Sequence, residues 1–135
     1  ALELAAIKNQ TVHFFASAVP EKLYLDPVLL ERACANVVSN ALEYNPVSAS
    51  VDIRFVGEPG GFSVQVIDRG EGFSEEGLVK AAQQFYRGDK SRHCADHYGI
   101  GLYMAHQIMQ MHKGRLILAN NRDTPGACVT LWLPV

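Results

Sequence analysis

The chain has 135 residues, 48% of them hydrophobic and 19% charged, with a formal net charge of −2 at pH 7. That length suits one domain with a core of its own, and the near-neutral, slightly acidic balance gives no electrostatic basis for binding nucleic acid. No apolar run is long enough to cross a bilayer, no signal peptide opens the chain, and three cysteines, Cys34, Cys94 and Cys128, without a Cys-x-x-Cys spacing fit a reduced, cytoplasmic setting.

Ala1 to Asn9 reads as a short lead, and because it starts without methionine and in mid-pattern, the sequence is expected to be a fragment of something longer. Thr11 to Ser17 is the first predicted strand. Asp26-Pro27 opens a helix, Asp as N-cap and Pro at the first helical position, which runs to Tyr44 and is stopped by Asn45-Pro46. Leu30, Ala33, Cys34, Val37 and Ala41 form its core stripe. Asn36 and Asn40 stack one turn apart at the edge of that stripe, with Glu43 on the same side. Asparagine is a middling helix former, so two stacked amides point to oxygen ligands for a hard cation or a polar ligand, against the plainer reading of solvated surface amides.

Ser50 to Val56 and Phe62 to Ile67 alternate apolar and polar residues around Glu58-Pro59-Gly60-Gly61, the pattern of a β-hairpin with one buried face. The hairpin delivers the chain to Asp68-Arg69-Gly70-Glu71-Gly72-Phe73. A carboxylate at a strand end, followed by two glycines that allow close backbone approach, suits a planar ligand, although many hairpin ends look similar. Ser74 caps a short helix from Glu75 to Gln84, and Phe85-Tyr86-Arg87-Gly88 follows. Asp89 to His97 is polar and aperiodic, a predicted mobile loop with Arg87, Lys90 and Arg92 as its cations. Within it His93, Cys94 and His97 cluster, but they lack a fourth ligand and a zinc-site spacing.

Tyr98-Gly99-Ile100-Gly101-Leu102 then opens a helix to about His112, with Gly114 as its C-terminal cap. A glycine turn entering a helix N-terminus is a natural phosphate site. It is neither the dinucleotide-binding pattern Gly-x-Gly-x-x-Gly nor a Walker loop. Arg115 to Asn120 and Ala127 to Leu133 are the last two strands. The expected fold class is α+β: one mixed, mostly antiparallel sheet of about five strands, covered on one face by helices.

Four boxes stand in order: Asn36-Val37-Val38-Ser39-Asn40-Ala41-Leu42, Asp68 to Gly72, Phe85-Tyr86-Arg87 and Gly99-Ile100-Gly101-Leu102. They resemble the N, G1, F and G2 boxes of the catalytic, ATP-binding domain of bacterial sensor histidine kinases, within the larger group that includes gyrase, heat-shock chaperones and MutL. The resemblance covers nearly the whole chain and implies the two-layer Bergerat fold. It implies that ATP and Mg²⁺ bind, and that the γ-phosphoryl group goes to a histidine on a separate dimerisation domain, which in turn serves a response regulator receiver domain. Asp68 would accept from the exocyclic amine of adenine, supported by Thr130. Gly70, Gly72 and Phe73 would lie beside the base, and Glu43 and Tyr44 would flank the nucleotide. Asn40 would hold Mg²⁺ with Asn36 beside it. Residues 88 to 98 would form a lid in which Arg87, Lys90 or Arg92 reaches the phosphates, and Tyr98 to Leu102 would meet them through backbone N–H groups.

Asn36 stands where the hydrolysing cousins carry a glutamate that activates water, and a neutral amide favours kinase over ATPase. Two departures, Glu43 where lysine is common and His97 where the last box often begins with another glycine, leave a degenerate regulatory or interaction module as the alternative. The fragment itself is expected to be monomeric, to touch neither membrane nor nucleic acid, and not to autophosphorylate, since His13, His106 and His112 are not expected acceptors. The full-length protein would be anchored in the cell membrane with this domain in the cytoplasm.

Overall fold

A computed structural model describes residues 10–18, 20, 25–87 and 99–135, by backbone alone at 84–87, 99 and 100. Five strands, β1 (Thr11–Ser17), β2 (Ser50–Glu58), β3 (Gly61–Ile67), β4 (Arg115–Asn120) and β5 (Ala127–Pro134), form one sheet in the order β1-β2-β3-β5-β4. Three helices are described: α1 (Pro27–Tyr44), α2 (Glu75–Arg87) and α3 (Gly99–Met111). The β1–β2 pair is parallel, and the other three pairs are antiparallel. The parallel pair follows from α1, a crossover long enough to bring the chain back in the same direction. The remaining joints among the paired strands are hairpin-like or return across the sheet.

Strand alternation decides which face is covered. Val51 and Ile53 of β2, Val64 and Val66 of β3, Val129 and Leu131 of β5 and Leu116 of β4 are buried together with Ala33, Val37 and Leu42 of α1 and Leu102, Ala105 and Met109 of α3. Leu42, Leu102, Leu131 and Met109 are among the largest fully buried side chains, and each contributes about 1.5–3 kcal/mol by leaving water. On the opposite face Arg54 lies over the Phe15 ring and Arg115 over Trp132. Cys34 and Cys128 are free thiols. Burial pushes both thiols up, an effect that a hydrogen bond with Thr130 and the charge of Arg54 partly oppose at Cys128.

The predicted caps are present. The Asp26 carboxylate accepts from the N–H groups of Val28 and Leu29 at 3.0 and 3.1 Å, and Ser74 Oγ accepts from Gly77 N at 2.9 Å. Helix α2 runs three residues beyond the expected Gln84, because Phe85, Tyr86 and Arg87 contain no breaker and Gly88 is the first residue that would end it. The end of α3 differs from the expectation. Gly114 N donates to Met109 O and Lys113 N to Gln110 O, the paired bonds of a Schellman motif, and the left-handed residue is Lys113, φ 59°, not the glycine. Glycine follows it for another reason: a Cβ at 114 would lie 2.1 Å from the carbonyl oxygen of Trp132. His112 sits in the same turn. Its Nδ1 lies 2.9 Å from Ile108 O and its Nε2 accepts from Asp26 N at 2.9 Å, so the ring ties the end of α3 to the start of α1.

Candidate functional site

A cleft of about 550 Å³ opens between the C-terminal end of α1 and the loop that follows β3. Asn40, Tyr44, Asn45 and Pro46 form one wall, Asp68 to Phe73 the other, and Pro125 and Ala127 close the back. The sheet sets the position of Asp68: it is the first residue past β3, and its N–H still donates to Ala127 O at 3.0 Å. The side chain is 6% exposed. Its Oδ1 accepts from Gly70 N at 3.0 Å and Ala127 N at 2.9 Å. Two backbone donors therefore hold one carboxylate oxygen, and the other has no protein partner among the described residues. An acceptor-only group aimed this way into a cleft selects a ligand that donates a hydrogen bond.

The loop beyond Asp68 is shaped by close packing. A Cβ at Gly70 would lie 2.6 Å from Tyr44 O, so the bare backbone lets the loop press against the last carbonyls of α1. Gly72 takes φ 81°, a region open to glycine at little cost. Asn120, at the end of β4, grips the next residue with both amide atoms: Oδ1 accepts from Phe73 N at 2.7 Å, and Nδ2 donates to Phe73 O at 2.8 Å. Phe73 is thereby held 6% exposed at the cleft wall. Behind the loop Arg69 pairs with the buried Asp52 at 2.8 Å.

The structure brings six of the residues singled out in the sequence together in this cleft. Asn40, Tyr44, Asp68, Gly70, Gly72 and Phe73 all line the cleft. Asn36 lies one turn before Asn40 and faces Gly101 of α3, where an added Cβ would stand 3.7 Å from Asn36 Cβ. Glu43 is exposed on α1 and is not part of the cleft wall. Gly99, Ile100, Gly101 and Leu102 form the first turn of α3 itself instead of a loop before it, and Leu102 is a fully buried core side chain. Arg87 is the last residue of α2. Lys90, Arg92, Tyr98 and the cluster of His93, Cys94 and His97 lie outside the described residues, as does Ala1 to Asn9.

Thr130 is the clear correction. It stands opposite Gln65 and Ile117, one residue beyond the inward Val129, so the pleat turns it to the uncovered face, where it hydrogen-bonds Cys128. The β5 residue that meets Asp68 is Ala127, three positions earlier, and it does so through its backbone.

Four residues of the site had no functional reading in the sequence: Gln10, Asn45, Asn120 and Asn121. Asn45 appeared there only as a helix stop, yet it is 2% exposed and bonded to three segments. The available signal was the polarity of an asparagine flanked by an apolar helix end and a strand.

Gly101 offers a test of what the bare position is for. Ordinary van der Waals room exists for a methyl group, and alanine in a helix is about 0.5–1 kcal/mol better than glycine. Gly101→Ala is therefore expected to raise the melting temperature slightly, which differential scanning fluorimetry of the variant beside the parent chain checks.

A sequence profile described as histidine kinase-, DNA gyrase B-, and HSP90-like ATPase matches residues 25–135. Sensor histidine kinase SpaK of Bacillus subtilis is 39% identical over 128 residues, covering 95% of this chain and 28% of that protein. Sensor histidine kinase CpxA of Escherichia coli (strain K12) is 32% identical over 129 residues, covering 95% of this chain and 27% of that protein. The chain thus spans little more than a quarter of these relatives. Among solved structures, the catalytic domain of histidine kinase ThkA superposes with a TM-score of 0.80 at 19% identity, over 98% of this chain and 84% of that one. Full-length ShkA in complex with AMPPNP gives 0.79 at 18% identity, over 98% of this chain and 27% of that one. These two likenesses establish the five-stranded α+β fold. No described helix is long and apolar enough to cross a membrane.

Proposed function

Because the chain belongs to the histidine kinase-, DNA gyrase B- and HSP90-like ATPase family, with sensor histidine kinases as its relatives, we propose that it binds ATP·Mg²⁺ and presents the γ-phosphoryl group to a histidine on a dimerisation domain outside this sequence. The observation that carries this reading is Asp68. One oxygen is held by Gly70 N and Ala127 N, and the other is left to a ligand in the cleft. Adenine offers an amine donor at that point, whereas guanine offers a carbonyl acceptor, so the carboxylate selects ATP over GTP.

The rest of the cleft suits a nucleotide. Phe73 and Tyr44 supply apolar wall to a base, and the backbone N–H groups at the start of α3 face anions favourably. The described residues contain no cluster of three or more His, Cys, Asp or Glu that could hold an ion by itself. A half-buried amide at Asn40 fits Mg²⁺, which keeps its waters and is shared with substrate phosphates through one or two protein ligands. Mg²⁺ supplies charge neutralisation between the phosphates, and the chain's residues supply position, which is most of what phosphoryl transfer requires. Asn36 beside Gly101 is a neutral amide and cannot serve as a general base, which favours transfer to a protein acceptor over hydrolysis. Glu43 lies outside the cleft wall, so that departure from the family pattern does not weaken the nucleotide reading. In the whole protein we place this domain on the cytoplasmic side of a membrane-anchored sensor that passes phosphate to a response regulator.

Isothermal titration of the chain with ATP and with GTP, each with and without Mg²⁺, tests the reading. Saturable ATP binding that strengthens with Mg²⁺ and exceeds GTP binding is expected. A folded chain that binds neither nucleotide would overturn it.

A further inference from the structure

We infer that Asn45, working with Gln10 and Asn121, is a positioning residue that aims Asp68 and thereby sets the preference for adenine; the inference rests on the nucleotide reading above. The peptide group joining Asp68 to Arg69 is gripped at both ends. Its N–H donates to Asn45 Oδ1 at 2.6 Å, and its carbonyl oxygen accepts from Asn121 Nδ2 at 3.0 Å. Holding that plane sets the backbone torsion from which the Asp68 side chain departs.

Asn45 is in turn locked in one orientation by partners with a single possible role. Ser50 O can only accept and Arg69 N can only donate, so Nδ2 must face the first at 3.2 Å and Oδ1 the second. Nδ2 also donates to Gln10 Oε1 at 2.7 Å, and Gln10 Nε2 donates to Leu42 O at 2.9 Å. Leu42 lies in the last turn of α1. A directional relay therefore runs from the end of α1, through the residue that precedes β1, to the loop carrying Asp68. Gln10 is 8% exposed and Asn45 2%, and buried amides satisfied in this way hold one geometry because any rotation orphans a polar group. Asn45 also lines the cleft, so the relay ends beside the base it would help to select.

The test is nucleotide titration of the parent chain and of variants chosen to split aim from stability. Asn45→Ala removes the acceptor for Arg69 N. It is expected to weaken ATP binding about tenfold, the value of roughly one hydrogen bond, while GTP binding changes little, so the ATP-to-GTP ratio falls. Asn45→Asp keeps an acceptor for Arg69 N but loses the donor toward Gln10 and Ser50 O. It is expected to lower the melting temperature yet retain most of the ratio, an outcome that a merely structural role would not produce. Asn121→Ala releases the other end of the same peptide group and stands in should Asn45→Ala fail to fold; it too should lower the ratio. A parent chain that prefers ATP, with Asn45→Ala or Asn121→Ala keeping its ratio, overturns this inference alone. A parent chain that binds neither nucleotide overturns both readings.

Discussion

Asp68→Asn is expected to lower ATP affinity roughly ten- to a hundredfold while leaving the fold nearly as stable as before. The asymmetry comes from the two carboxylate oxygens having different work. Oδ1 accepts from Gly70 N and Ala127 N, and those donors require an acceptor. An asparagine therefore keeps its carbonyl oxygen on that side, preserving the loop, and turns its NH₂ into the cleft. A donor then faces the adenine amine, another donor. Losing a hydrogen bond to a charged acceptor costs about 1.5–3 kcal/mol, which is the stated affinity range. The same NH₂ can donate to the guanine carbonyl, so GTP should lose little or gain. Calorimetric titration with both nucleotides, beside a thermal melt of the unliganded variant, gives the check. If ATP affinity and the ATP-to-GTP ratio stay unchanged, Asp68 does not read the base.

Several of the parts that make this argument possible were legible before the structure. The strands announced themselves by alternation, α1 by its Asp-Pro start and five-residue stripe, and Asp68 by its place after β3. What escaped was of two kinds. The first was a matter of faces: the family resemblance implies Thr130 beside Asp68, but counting pleats from the buried Val129 turns Thr130 outward, and the β5 backbone that meets Asp68 is that of Ala127. Period two decides such cases, since an odd displacement changes sides. The second kind could not be read from local pattern at all. Asn45, Asn120 and Asn121 act on backbone groups 24, 47 and 53 residues away, and an asparagine between two elements looks alike whether it ends a helix or clamps a distant loop. The glycines divide in the same way. Gly72 announces its turn, whereas Gly114 and Gly70 are required by carbonyls of Trp132 and Tyr44, which only the tertiary fold brings near.

Gly126→Ala is expected to be the most damaging small substitution in this region, costing about 2–6 kcal/mol. Two independent effects add. Gly126 has φ 127°, where a side chain is strained by about 1–3 kcal/mol. Its Cβ would also stand 2.1 Å from Asp68 O and 2.7 Å from Asn121 Nδ2, and forcing atoms into packed space costs about 1–3 kcal/mol more. The obstacle is backbone, held by the Asp68 N to Ala127 O and Asn121 N to Gly126 O bonds, so it cannot swing aside as a long side chain would. Gly60→Ala separates the two effects. Gly60 also has a positive φ, 76°, but a Cβ there meets nothing within 4 Å, so it should cost only the left-handed penalty of about 1–2 kcal/mol. Urea unfolding of both variants gives the comparison. Because the crowded atom at Gly126 is the carbonyl of Asp68, any relaxation that accommodates the methyl group must move the peptide that aims the carboxylate, and the surviving folded fraction of Gly126→Ala should bind ATP weakly while Gly60→Ala binds it normally. Equal costs for the two substitutions would mean that the close approach of β5 to Asp68 is not a constraint on the fold.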